Sequence, residues 1–460
     1  MWLPTLTDRP GPKYLRIADA LSEDVYAGRL TAGDRLPTHR DLAWRLGVTV
    51  GTVSRAYAEA ERRGLLVGEV GRGSFVKAGT RSTATLAMPD PAGPSAIELG
   101  INRPPAALSA PEFAAALAEL AQSGDLVDLM NYQDHTGRWE HRVAGAAWIG
   151  RRGLDVEPER VMLTSGAEHG IAAALMGLTD PGDVVLVEEL TWSGTRALAS
   201  LQRLSLKPVA MDRQGMLPDA FEAACRASGA RMLYTMPTIH NPTAAIMPAE
   251  RRAAIAAIAR GYGVTIVEDD VYGMLAEDRP PPLSAFAPER SIYITSASKC
   301  LAPCLRVGYA ALPEDRIGRF TAAARALNWM APPVEAEIAS RWIRTGTAET
   351  LEARVRRDAM ARQRVAAEAL DGLAYHTVPG SFHLWLALPE PWRTQDLVTA
   401  ARARGVSITS TELFVPGRAE TPHAVRLTVS ATRDRAELAR GLAVVARVLR
   451  QSPEPCLAVA

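Results

Sequence analysis

The 460-residue sequence predicts two domains of unlike class: a small helical head closed by a β-hairpin, and a large α/β body built on a mostly parallel sheet. Three observations predict this. The chain is longer than a single core ordinarily grows, about 300 residues. Residues 80–95, TRSTATLAMPDPAGPS, are rich in Pro, Thr, Ser, Ala and Gly, the composition of an extended linker. Beyond that run, short β-rich segments alternate with Ala-rich helical ones, the pattern of buried strands with helices on both faces.

Composition narrows the partners. Hydrophobic residues make up 47% of the chain and charged residues 22%, enough apolar material for a sizeable core. The net charge of +1 selects no partner, but residues 1–80 carry 12 Lys+Arg against 9 Asp+Glu, and the remainder 40 against 42. A basic head on an acidic body fits a nucleic-acid contact at the head. Cys225, Cys300, Cys304 and Cys456 make neither a disulfide framework nor paired metal-ligand motifs, so reduced thiols, a cytoplasmic setting and no metal are expected. The start, MWLPTLTDRPGPKY, has no leader-like apolar run, and no stretch of about 18 apolar residues occurs beyond it, so no membrane span is expected.

The head occupies residues 11–79. Pro12–Ala27 places Leu15, Ile17, Ala18, Leu21 and Val25 on one helical stripe. Thr38 with Asp41 three residues on resembles a capping box, and Gly47 ends the short helix between them and it. Thr49 opens the next helix, with Val53, Tyr57 and Ala60 inward and Thr52 and Arg55 outward. Leu65–Val67 and Ser74–Val76 flank GEVGRG, a tight hairpin. Helix, helix, turn, helix and wing form a winged helix-turn-helix layout, in which the second helix of the turn motif enters a DNA major groove. The runs GDRLPTHRDLA, LGVT and GRGSFV resemble the GntR family of regulators. The resemblance implies DNA contacts at Arg40, Thr49, Thr52, Arg72 and Gly73. Val50 and Gly51 replace the polar residues common at the start of the recognition helix, which moves base reading toward His39 and Arg55.

The body spans 96–450. Apolar runs at Val161–Leu163, Val184–Val187, Met232–Met236, Val264–Val267 and Ile292–Ile294 alternate with helical patterns at Glu168–Leu178, Trp192–Leu204 and Pro248–Tyr262. Strands at Phe382–Leu388 and Val425–Val429 suggest a second, smaller α+β lobe. Chemistry gathers at the ends of the apolar runs. SASK places Lys299 just past a strand among small hydroxyl residues, where a lysine can condense with an aldehyde cofactor. Arg306, seven residues on, offers a fork for a phosphate. EDDVY puts Asp269 where a carboxylate can pair with a protonated ring nitrogen, and Tyr272 where a phenol can reach a ring hydroxyl. Asn241 comes after another strand end, SGAEHG opens a helix whose amides suit an anion, and Trp192 is placed to stack on a ring.

The ordered set SGAEHG, EELTWSG, HNPT, EDDVY, SASK, LRVGY and VRLTVS resembles the fold-type I pyridoxal-phosphate enzymes, in the aminotransferase subgroup that includes 2-aminoadipate and kynurenine aminotransferases. The resemblance implies pyridoxal 5'-phosphate on Lys299, with Asp269 at the ring nitrogen, Asn241 and Tyr272 at the ring hydroxyl, and Trp192 stacked. It implies a phosphate cup from Ala167, Glu168, Ser296, Ser298 and Arg306. It further implies a carboxylate clamp at Arg426, and a Tyr132 lent to a neighbouring subunit in a homodimer. Ala244, His240, Ala167, Cys300 and Cys304 depart from the common pattern. Head and body together resemble the MocR subfamily of transcription regulators. That implies promoter DNA, a body that senses a small amine, an amino acid or pyridoxal 5'-phosphate itself, and a choice between sensing and catalytic transamination.

Overall fold

The structure, a computed structural model, describes residues 2–6, 12–26, 29–30, 33–62, 65–69, 73–76, 96–277, 279–416 and 421–451. The chain separates into two compact units, Met1–Met88 and Pro89–Ala460. The expected linker at 80–95 lies outside the described residues, as do Arg72 and Ala27.

In the head, α1 (Lys13–Tyr26), α2 (His39–Leu46) and α3 (Val50–Arg62) precede a hairpin of β1 (Leu66–Glu69) and β2 (Gly73–Val76). Of the stripe read from the sequence, Ile17, Ala18, Leu21 and Val25 are buried and Leu15 is half-buried; Ile17, Leu21 and Val25 pack with Leu42, Val53, Ala56 and Tyr57. Thr38 Oγ1 accepts the Asp41 N–H at 3.2 Å, capping α2. Gly47 ends α2 at φ +61°, a left-handed position that glycine takes without steric cost. Thr49 Oγ1 accepts the Thr52 N–H and so caps α3, which begins one residue later than expected. The hairpin strands are antiparallel, Leu66 opposite Val76 and Glu69 opposite Gly73, so the first strand starts one residue later than read.

The body is centred on seven strands: β3 (Val161–Thr164), β4 (Val184–Glu188), β5 (Ser205–Val209), β6 (Met232–Thr235), β7 (Thr265–Asp269), β8 (Ser291–Ser296) and β9 (Gly308–Ala311). Their order is β3-β9-β8-β7-β6-β4-β5. Only β9 runs against the others, pairing antiparallel with β8 and β3. Strands β3, β6, β7 and β8 are buried along their length, which is why they read as continuous apolar runs. Two strands of this sheet escaped the sequence reading. The helix read as Trp192–Leu204 stops at Leu201, and SLKPV then forms the edge strand β5, where only Val209 is buried and Pro208 needs no ladder partner. In β9, GYAA lacks the β-branched residues that mark a strand.

A smaller antiparallel sheet of β10 (Tyr375–His376), β11 (His383–Ala387) and β12 (Ala424–Thr428) forms the second lobe, with Trp385 directly opposite Arg426. Ile97–Glu98 pairs in parallel with Val406–Ser407, tying the start of the body into this lobe. The carboxyl ends of β3, β6, β7 and β8 carry Thr164, Thr235, Asp269 and Ser296 to one side of the large sheet. That side is where open α/β sheets bind ligands.

Candidate functional site

Ten residues singled out in the sequence line one cavity of about 140 Å³ at that side: Ala167, Glu168, Trp192, Asn241, Asp269, Tyr272, Ser296, Ser298, Lys299 and Arg306. Lys299 comes just after β8; its Nζ donates to the Asn102 carbonyl at 2.7 Å and lies 5.6 Å from the Tyr272 ring centroid. The three acids at the end of β7 have three different tasks. Glu268 accepts the N–H groups of Leu283 and Ser284, pinning a turn. Asp270 accepts from Arg152 at 2.6 Å and Tyr293 at 2.7 Å, a buried pair behind the cavity. Asp269 faces the cavity, accepting the Tyr234 hydroxyl at 2.8 Å and the Val271 N–H at 3.3 Å. Burial pushes its carboxyl up to about 6, against the pull of those hydrogen bonds, so it is charged at neutral pH.

The opposite end of the cavity is a set of donors. Helix α4 (Ala167–Leu178) starts after Gly166, at φ +86°, with no side-chain cap. Ser296 Oγ accepts the Ser298 N–H, and the buried Ser298 Oγ has no hydrogen-bond partner among the described residues. Arg306 sits in the left-handed region at φ 49°, a backbone cost that non-glycine residues carry mainly at functional positions. A Cβ on Gly166 would lie 2.8 Å from Arg306 Nη2, and one on Gly308 2.6 Å from Thr164 Oγ1, so both glycines keep the space open. Trp192 precedes helix α5 (Ser193–Leu201), and a Cβ on Gly194 would come within 2.3 Å of its indole. A phosphate suits the helix start, the orphaned hydroxyl and the guanidinium. A protonated pyridine suits Asp269, and a flat ring suits Trp192. The donor set therefore fits pyridoxal 5'-phosphate.

Arg426, on β12, adjoins this cavity. Its Nη1 donates to Asn241 Oδ1 at 2.8 Å and its Nη2 to the Gly100 carbonyl, while Nε is buried without a partner among the described residues. Burial lowers its pKa to about 10, which leaves it charged at neutral pH. Tyr132 is not brought to the cavity within one chain: it is 84% exposed, its ring 6.1 Å from that of Trp329. Sequence reasoning missed Asn102, which donates to the Tyr272 hydroxyl at 3.0 Å and to His383 Nδ1 at 2.9 Å. These partners lie 170 and 281 residues away, beyond any spacing signal. Tyr234 was legible only as one apolar position of β6.

On the head, Arg40, Thr49 and Arg55 are exposed and Thr52 is half-buried. Arg55 lies 5.9 Å from the Tyr14 ring centroid. His39 is committed inward, to Ser54 at 3.1 Å and the Tyr57 ring at 4.9 Å, whereas Arg55 is exposed. Gly73 adopts φ +116°, and a Cβ there would lie 3.3 Å from Arg35 Nε. Among the described residues, no cluster of His, Cys, Asp and Glu could hold a metal ion, and no helix is long and apolar enough to cross a membrane.

Comparison with known proteins respects the same division. Residues 94–445 match the aminotransferase class I and II family, and residues 13–76 match the gntR family of bacterial regulatory proteins. The chain is 31% identical over 448 residues to the HTH-type transcriptional regulator YdeF of Bacillus subtilis, covering 97% of this chain and 96% of that one. It is 32% identical over 296 residues to the vitamin B6 salvage pathway transcriptional repressor PtsJ of Salmonella typhimurium, 64% of this chain and 66% of that one. Among solved structures, LysN, the α-aminoadipate aminotransferase of Thermus thermophilus complexed with N-(5'-phosphopyridoxyl)-L-leucine, superposes with a TM-score of 0.73 at 26% identity, covering 81% of this chain and 96% of that one.

Proposed function

This chain belongs to the aminotransferase class I and II family and carries a gntR-family head, the pairing of the MocR subfamily, and from that premise we propose that it is a DNA-binding transcription regulator that senses an amine or amino acid through pyridoxal 5'-phosphate held on Lys299. The observation that carries the reading is the single cavity that joins Lys299, Asp269, Trp192 and the donors of Ser298 and Arg306. We divide the chain into a head at 11–79, a linker at 80–95 and a body at 96–450, acting as a homodimer on promoter DNA in the cytoplasm.

Bound in this cavity, pyridoxal 5'-phosphate supplies an aldehyde that condenses with amines and a ring that withdraws electrons. The chain's own residues do the rest. Asp269 holds a proton on the ring nitrogen by supplying the counter-charge. Asn241 and Tyr272 donate to the ring hydroxyl, and Trp192 covers one face of the ring. The amides of Ala167 and Glu168, with Ser296, Ser298 and Arg306, bind the phosphate. Asn102 positions the Lys299 amine through its carbonyl. Arg426 takes an effector carboxylate, trading its bond to the Gly100 carbonyl for the ligand. Tyr132 of one subunit closes the site of the other. In the head, Arg40 and Arg72 grip phosphates, while Thr49, Thr52, Arg55 and Gly73 approach bases and backbone. An effector that binds one lobe arrangement more tightly shifts the equilibrium between DNA-binding states.

Borohydride reduction and then peptide mass spectrometry test the cofactor assignment. The label is expected on Lys299, and a label elsewhere or nowhere overturns it. Turnover is a second reading, favoured by the joint presence of Lys299, Asp269 and the charged, partly unpartnered Arg426. Saturating steady-state transamination would select it. Effector-dependent DNA binding without turnover selects the regulator.

A further inference from the structure

A second cleft, of about 480 Å³, opens between the two lobes of the body, apart from the Lys299 cavity and sharing no lining residue with it. Its walls come from the ends of β4 and β5 on one side and from β10 and β11 on the other. We propose that this cleft is a second small-molecule site, for an aromatic α-amino acid, coupled to the Lys299 cavity through His240, His383 and Asn102.

The chemistry of the walls selects the ligand. Tyr375, His376 and Trp385 present half-buried ring surface, the kind that holds a flat apolar side chain. Arg213 is exposed on one wall and makes no ion pair with Glu189, the half-buried carboxyl on the same lining. Burial raises the Glu189 carboxyl above its ordinary range, and it makes no ion pair among the described residues. Asp212, the remaining acid, is already matched by Arg251 at 2.6 Å and 3.0 Å. A guanidinium and a carboxyl that do not pair with each other, set beside aromatic faces, complement a zwitterion with a ring. The volume falls within the roughly 300–1,000 Å³ of ordinary ligand pockets.

The coupling runs along an unbroken series of hydrogen bonds. Two cleft residues hold His240: Nε2 donates to the Leu190 carbonyl at 3.0 Å, and Nδ1 accepts from Thr243 Oγ1 at 2.8 Å. The His240 carbonyl accepts from His383 Nε2 at 3.0 Å. His383 Nδ1 then accepts from Asn102, whose carbonyl holds Lys299. Trp385 adds a second link, as the cross-strand partner of Arg426. A ligand that shifts Leu190 or Thr243 therefore moves the group that positions Lys299. This coupling rests on the proposed role of Lys299; the binding site itself does not.

The test uses full-length protein and N,N-dimethyl-L-tryptophan, a tertiary amine that cannot condense with an aldehyde. By calorimetry, one molecule is expected to bind per chain. Arg213→Glu, at an exposed position, and Trp385→Leu are each expected to weaken binding at least about fivefold. Absence of saturable binding overturns the site. So does binding that Arg426→Ala abolishes while Arg213→Glu leaves it intact, because the probe then sits in the first cavity. For the coupling, the probe is expected to change the midpoint of an amine titration of the visible band by about fivefold, and not to do so in Thr243→Val. An unchanged midpoint in the parent overturns the coupling alone. A protein with no visible band fails on the cofactor reading, and leaves the calorimetric result to decide the site.

Discussion

Asp269, His240 and His383 are sealed beside the same chemistry, and burial drives each toward its neutral form. The Asp269 carboxyl rises to about 6, while the imidazoles fall to about 4 for His240 and about 3 for His383. The signs differ. A buried acid with a raised pKa binds more protons folded than unfolded, so its penalty is complete above pH 6 and is relieved as pH falls. A histidine with a lowered pKa binds fewer protons folded, so stability is lost as pH falls below its unfolded value of about 6.5. His383→Asn removes one such histidine. The stability gap between parent and variant is expected to shift against the parent by about 2 kcal/mol between pH 7.5 and pH 5, measured by denaturant unfolding. An unchanged gap would mean that His383 is not held neutral. Tyr234 acts on the same balance through Asp269, since its hydroxyl favours the charged carboxylate. Tyr234→Phe is expected to lower affinity for pyridoxal 5'-phosphate about tenfold at pH 7, with recovery at higher pH as the carboxyl ionises again. A loss that does not depend on pH would point to packing instead.

At the scale of elements, the sequence displays whatever is local and periodic. The stripe of α1, the Thr38 cap and the Gly47 stop are all readable because each is set within a few residues. The strand-end residues are readable because buried parallel strands are unbroken apolar runs, and the polar residues just past their ends stand out against them. Edge strand β5 is hidden because one side of it is wet, and β9 because its residues are small. Asn102 and His383 are hidden because chain topology, and no spacing, brings them to Lys299. The turn of the head supplies a clean test. A Cβ at Gly47 would meet nothing within 4 Å, so Gly47→Ala carries only the backbone cost of φ +61°. That cost is expected to be about 1 kcal/mol of head stability, read by proteolytic nicking of the full-length protein. Arg40→Ala, on exposed α2, is expected to weaken DNA binding and to reduce the slope of log affinity against log salt by about 1, leaving the cofactor spectrum unchanged. A steeper or equal slope would remove Arg40 from the phosphate contacts.

At the scale of the whole molecule, the question is how many chains make one complete site. Every cofactor ligand inferred from the sequence lines the cavity from a single chain, whereas Tyr132, inferred as an effector-site residue, does not reach it. That tyrosine stands 84% exposed, near Met130 at 79%, Val127 at 71% and Trp329 at 47%. A cluster of large apolar side chains in water is the signature of a surface that a partner covers. A two-fold dimer built on it would use the same patch of both subunits, so each subunit would give a tyrosine and receive one. The expected solution state is therefore a homodimer, and light scattering that shows only monomer would refute it. Subunit mixing then asks whether the tyrosine crosses. Lys299→Ala lacks the reacting amine and Tyr132→Phe lacks the lent hydroxyl, so neither homodimer has an intact site. In a mixed dimer with shared sites, both losses fall on one site and the other is native. With equal amounts and random exchange, about a quarter of all sites are expected to recover the effector-dependent change of the visible band. Recovery near zero, from chains shown to exchange, would mean that Tyr132 serves its own subunit or none.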